Sequence, residues 1–309
     1  MTSDGKAVGT RTLFSRHSSL ITRHFFAFTL VELLVVIAIL GILAGLAVPA
    51  LKNLGKADAG VSAARQLLDD VGRARQLALS QRTTVYMVFV PTNFWNTTFG
   101  SGPFKSRWFN ALTPAAASAA TNLCDKQLTG YTFIANGAVG DQPGRHLWHY
   151  LAPWSSLPDG TFIAQQKFNE PPNLSYPIAD FISGAAYSIY GFNVTNTIPF
   201  PTETNTVPPS PAANDLPYLP YIAFNYLGQL TVDGVNASSR DEFIPLAHGI
   251  VSPMYDPATR KYVLNLPPPA PQIQVAEIPP GNSTNLSYNI VHVDALTGRA
   301  VLEFHNVLP

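Results

Sequence analysis

The sequence predicts an α+β protein: a long N-terminal helix, half membrane-spanning and half amphipathic, packed on an antiparallel β-rich head with insertions. Three observations predict it. An uncharged apolar run extends from Leu33 to Leu51. A helical stripe of apolar residues follows from Ala64 to Ala78. From Thr83 onward the chain alternates short β-branched and aromatic runs with turn residues, the pattern of strands and hairpins. These divide the 309 residues into a basic leader (1–27), a transmembrane and assembly helix (28–51), an amphipathic helix of the head (52–82) and a β-rich globular head with proline-rich loops (83–309).

The leader carries Lys6, Arg11, Arg16 and Arg23 against a single acid, Asp4. At Phe28 the character changes to Phe28-Thr29-Leu30-Val31-Glu32-Leu33-Leu34-Val35-Val36-Ile37-Ala38-Ile39-Leu40 and stays apolar to Leu51. An apolar run above about 18 residues reads as a membrane span. As a helix, 28–51 is about 36 Å long, enough to cross a hydrocarbon core of about 30 Å. The basic flank stays in the cytoplasm and places everything after Leu51 outside. Three readings compete. Val48-Pro49-Ala50 resembles a small-residue cleavage site, although a signal peptide's apolar region is shorter, about 7–15 residues. An uncleaved anchor is the second, and a buried core helix, against which the length and hydrophobicity argue, is the third.

Glu32 separates these readings. A charge at the centre of a span costs about 2.5–3.5 kcal/mol, less near the interface where Glu32 would sit. A plain anchor has no use for it. A free amine at Phe28, four residues upstream, would supply a partner if the leader were removed there. Two such charges about 4 Å apart attract by roughly 4 kcal/mol at an effective dielectric of about 20. The pair roughly breaks even while fixing position, which suits an assembly register.

The segment Ala27-Phe28-Thr29-Leu30-Val31-Glu32-Leu33-Leu34-Val35-Val36-Ile37-Ala38-Ile39 resembles the type III signal sequence of type IV prepilins and type II secretion pseudopilins. The resemblance implies cleavage between Ala27 and Phe28 by a prepilin peptidase, N-methylation of Phe28, and docking of incoming subunits through Glu32. Gly41 and Pro49 fall where such helices commonly carry Gly and Pro. Ala27 departs from the family's usual Gly but is also small. The implied partners are other pilin or pseudopilin subunits, the prepilin peptidase, an inner-membrane assembly platform and the lipid bilayer. The implied location is a single pass in the inner (cytoplasmic) membrane with the head periplasmic or otherwise extracytoplasmic, and the filament after assembly.

Pro49 lacks an amide hydrogen and is expected to kink the helix, and Asn53, Gly55 and Gly60 weaken the turns just past the membrane. The stripe then resumes with Ala64, Leu67, Leu68, Val71, Ala74 and Ala78 on one face and Arg65, Asp69, Arg73 and Gln76 opposite. Arg65–Asp69 and Asp69–Arg73 have ion-pair spacing. The run Thr83–Val90 reads as a strand ended by Pro91. Further strands are expected at Tyr131–Ala135, Thr161–Ala164 and Tyr187–Phe192. Ile222–Leu230 reads as strand, glycine turn, strand, and Val291–Val301 as a terminal hairpin turning at Thr297-Gly298. The proline-dense stretches 199–220 and 267–280 read as surface loops or spacers. The string from Ser62 to Ser80 running into the first strand resembles the H-type minor pseudopilin of type II secretion systems. The organisation is also similar to the prepilin-like Verru_Chthon cassette protein D family.

Lys+Arg and Asp+Glu are both 19, which argues against a nucleic-acid partner. The single cysteine, Cys124, excludes an intramolecular disulfide or a cysteine zinc cluster and reads as a buried thiol. The sequence has no Walker loop, G-x-S-x-G or H-E-x-x-H, and we expect no enzyme, cofactor or metal. His146 and His149 lie in a stretch, 144–153, that reads as a loop. Asp294 reads as a turn former. Two function classes remain: a minor structural subunit of a secretion pseudopilus or type IV pilus, and a membrane-anchored extracytoplasmic binding or adhesion protein outside any filament.

Overall fold

A computed structural model describes residues 30–92, 94, 112–142, 147–169, 175–179, 186–203, 217–263, 273–283 and 288–305, with the side chains of 44–59, 169, 175–179, 186–187, 288 and 304–305 outside the description. The chain divides into two compact units, Met1–Lys52 and Asn53–Pro309. Its class is α+β with antiparallel sheets.

Helix α1 runs Leu30–Gln81. Over 60–81 it obeys the stripe read from the sequence. Ala63, Ala64, Leu67, Val71, Ala74 and Ala78 are fully buried, and Arg65, Asp69, Arg73 and Gln76 are exposed. Leu68, expected on the buried face, is only half-buried, since it lies at the edge of the stripe. Among the described ion pairs, neither Arg65–Asp69 nor Asp69–Arg73 occurs. Arg73 instead stands over the Phe133 ring, 5.4 Å from its centre. The helix ends at Gln81, and Arg82, with a φ of 51°, turns the chain toward the first strand.

Strand β1 (Thr84–Phe89) lies between β2 (Gly130–Asn136) and β8 (Tyr221–Phe224). With β3 (Trp148–Tyr150), β4 (Ser155–Ser156) and β9 (Leu230–Thr231) they form a first sheet, ordered β3-β2-β1-β8-β9 with β4 also on β2. A second sheet is built on the twelve-residue β10 (Glu242–Pro253). It holds β5 (Thr161–Ile163), β13 (Ile273–Glu277), β14 (Tyr288–Val293) and β15 (Ala300–His305). Two hairpins, β6–β7 (Ser175–Ala179, Ala186–Tyr190) and β11–β12 (Tyr255–Asp256, Lys261–Tyr262), form two-stranded sheets of their own.

Val85, Met87 and Phe89 of β1 join the α1 stripe in one apolar core, together with Phe133, Phe224, Phe162, Leu246 and Val291 from both sheets. The alternate residues Tyr86, Val88 and Val90 join a second core with Phe94, Leu123, Cys124, Ile198, Phe200 and Leu219. The first sheet is therefore covered on both faces, which explains why β1 reads as a continuous apolar run and not as an alternation. Short helix α2 (Pro114–Thr121), capped by Thr113, supplies Ala120 to the second core.

Three expectations are corrected. The stretch 199–220 is not merely a surface spacer: Pro199, Phe200, Pro201, Leu219 and Pro220 are buried, and Thr197 bridges Tyr218. Tyr150 Oη donates to Pro199 O at 2.6 Å and Trp154 Nε1 to Pro201 O at 3.0 Å. Aromatic rings thus fasten a segment whose prolines cannot donate to a sheet. Within 267–280, β13 is a paired edge strand on β10. Within 144–153, β3 pairs with β2 and places His149 opposite Ala135.

At one end of the sheets, two hairpin turns meet. Leu230 N donates to Ala295 O at 3.0 Å, and Arg75 Nε of α1 donates to Thr297 O at 2.7 Å. A Cβ on Gly298 (φ 62°) would sit 2.0 Å from Gly228 O, so only glycine fits this contact. Asp294 caps its turn by accepting from the amide and hydroxyl of Thr297 at 2.6 and 2.7 Å.

Candidate functional site

The segment singled out by the sequence is the start of α1. Every described side chain from Leu30 to Leu43 is exposed, with Leu30 at 79%, Ile37 at 60% and Ile42 at 65%. The apolar surface goes all the way round. A helix of this kind is stable only when something apolar surrounds it. Glu32, the only charged residue of 30–43, occupies the first turn, where a carboxylate is favoured by the helix dipole. Ala27 and Phe28 lie outside the described residues. The helical assignment passes through Pro49 without a break, while that side chain is also outside them. Among the described residues no helix is long and apolar enough to cross a membrane. The expected span at 28–51 is described with side chains only over 30–43, about 21 Å of helix.

The head holds several polar constellations that sequence reading missed. Lys167, on the short helix α3 (Gln166–Asn169), is wholly buried. Its ammonium donates to Glu242 and, at 2.5 Å, to Tyr190 O, and lies 4.8 Å from the Phe192 ring centre. Burial pushes this amine below its ordinary value, against the pull of Glu242. A buried pair of this kind fixes position more than it adds stability. His149 Nε2 lies 3.0 Å from Asp141 Oδ2, and Glu203, 3.8 Å from Nδ1, accepts from Tyr150 N at 3.1 Å. These contacts tie the proline-rich segment to the β3 edge.

His292 sits between two carboxylates. Its Nε2 is 3.0 Å from Asp241 Oδ2, its Nδ1 is 2.6 Å from Glu303 Oε1, and its ring stacks on Phe243 at 4.4 Å. Alternation would have pointed to it, because Val291 and Val293 face the core and His292 must face the other way. A cavity of about 450 Å³ is lined by His248, Phe162, Asp125 and Asp159 among others. Burial holds the His248 imidazole below its ordinary value. Among the described residues no group of three or more His, Cys, Asp and Glu could hold a metal ion.

Residues 22–48 match the model of the prokaryotic N-terminal methylation motif. No curated protein and no solved structure matches the chain. The match spans the end of the basic leader, Ala27, Phe28, Glu32 and the apolar helix up to Val48, and it supports a subunit of the type IV pilin or pseudopilin kind.

Proposed function

We propose that the chain is a minor pilin- or pseudopilin-like subunit of a type II secretion pseudopilus or type IV pilus, cut between Ala27 and Phe28 and assembled through α1. One observation carries the reading: the methylation motif runs into the start of α1, where the described side chains from Leu30 to Leu43 are exposed, apolar on every side and interrupted by one carboxylate, Glu32. Lipid surrounds such a helix before assembly, and the helices of neighbouring subunits surround it afterwards. Hydrocarbon satisfies the leucines, isoleucines and valines of 30–43. Packing against other subunits would bring the Glu32 carboxylate beside the α-amine of a neighbour's Phe28, which exists only after cleavage. Methylation of that amine leaves its positive charge in place. On this reading the head is a structural body and not an enzyme, and its partners are other subunits, a prepilin peptidase and an inner-membrane assembly platform. Among these families the H-type minor pseudopilin fits best, on the Ser62–Ser80 string running into the first strand.

The test is Glu32→Leu. The precursor should still insert and still lose its leader, giving an N-terminal, methylated Phe28 by mass spectrometry. Its recovery with sheared filaments should fall by at least about tenfold, the equivalent of one lost interaction near 1.4 kcal/mol, and Glu32→Gln should be intermediate. Wild-type recovery of the leucine variant would remove Glu32 from docking and favour a tethered binding protein.

A further inference from the structure

We propose that His292 is a proton-operated clasp that closes the C-terminal hairpin onto β10 and releases it as the pH rises. The clasp belongs to the head alone and does not depend on how the chain is assembled.

The register sets the geometry. Phe243 of β10 pairs with His292 of β14, and His292 pairs in turn with Val301 of β15. Because residues two apart share a face, Asp241 falls beside Phe243, and Glu303 beside Val301. The imidazole therefore stands over the middle strand with one acid on each side, at 3.0 and 2.6 Å from its two nitrogens. The Phe243 ring, inclined only 20° to it, supports it from below.

A neutral imidazole has one N–H and one lone pair. Between two carboxylates it could donate to one, but its lone pair would then oppose the other. Only the imidazolium donates on both sides. Asp241 is itself fixed, since its second oxygen accepts from Ala295 N at 2.8 Å. A third carboxyl, Asp294, is held below its usual range first by the hydroxyl and amide of Thr297, with His292 contributing through its charge. Burial alone would lower the His292 value, but the hydrogen bonds and charges of Asp241 and Glu303 outweigh it and the net direction is upward.

A histidine raised above its unfolded value, about 6.5, contributes its full stabilisation below that value and loses it as pH climbs through the folded one. Losing the proton leaves one strand-to-strand bond where there were two. The hairpin loosened in this way is the one whose turn holds Arg75 of α1 through Thr297 O. The effect of the clasp therefore reaches the helix. Among the described residues, His149 also has two acid neighbours, the second carboxylate at 3.8 Å, and gives a natural comparison.

The experiment is nitrogen-detected NMR of the histidine side chains in the full chain in detergent micelles, from pH 5 to 9, with His292 assigned by its disappearance in His292→Gln. Both His292 nitrogens should carry protons at pH 7 and titrate above the ordinary imidazole value, and Glu303→Gln should move that titration down. Amide exchange across Ala300–His305, corrected for its intrinsic pH dependence, should accelerate several-fold as the wild type passes through that pH and stay flat in His292→Gln. A neutral single tautomer at pH 7 would overturn the proposal, as would the same exchange profile in both proteins. Should the glutamine variant fail to fold, the wild-type titration alone decides, read from the one imidazole that responds to Glu303→Gln.

Discussion

Helix α1 contains two segments with opposite relations to their surroundings. From Leu30 to Leu43 every described side chain is exposed, although all but Glu32, Ala38 and Gly41 are large and apolar. From Gly60 to Gln81 apolar residues occupy one stripe, and that stripe is buried against two sheets. The second segment satisfies itself within the chain. The first cannot, since no arrangement of one helix buries all its faces. A residue's hydrophobicity therefore has different meanings in the two segments: fold in one, association in the other.

The sharpest test of that division is a charge placed in each. Leu67→Asp should abolish the cooperative melt of the head, because an unpaired carboxylate would sit in a fully apolar core, at a cost of several kcal/mol. Leu40→Asp should leave that melt unchanged in detergent and instead reduce membrane insertion. Identical loss of head stability in both would break the comparison. The next largest effect tests whether the proline-rich segment is structural. Phe200→Ala empties part of the core behind the first sheet and should lower stability by about 3–5 kcal/mol, read by denaturant unfolding. A change near zero would return that segment to the status of a surface spacer. Gly298→Ala should cost about 1–3 kcal/mol, from its left-handed backbone and the contact with Gly228 O. Smallest is Arg75→Met, which removes one partly exposed bond to Thr297 O and should cost about 1 kcal/mol.

Local sequence carried some elements clearly and others not at all. The stripe of α1, strand β1, the Gly228 turn and the Asp294–Gly298 turn each follow from a period or a turn residue, both of which act over a few positions. Strand β3 gave no such signal, because three residues are too few to show alternation and its pairing with β2 is a tertiary choice. The burial of Phe200 and Leu219 was equally hidden. Proline marks a segment that does not form ladders, but it does not say whether aromatic donors such as Tyr150 and Trp154 will hold that segment down. Lys167 illustrates the limit most plainly: nothing near it in the chain foretells a fully buried lysine, since Glu242, Tyr190 and Phe192 all come from later segments. At the candidate site, the motif itself was legible residue by residue, because its chemistry lies in consecutive positions.

Cys124 lies fully buried in the core behind the first sheet. Burial, helped by Asp125, pushes its thiol up to about 12, so at neutral pH it is neither nucleophile nor ready partner for oxidation. With no second cysteine in the sequence, no disulfide can brace the head internally, and its endurance rests on non-covalent packing and hydrogen bonds. The same thiol becomes a natural gauge of that packing. A maleimide can reach it only when the core behind the first sheet opens. Its labelling rate in intact protein therefore counts the openings of that core.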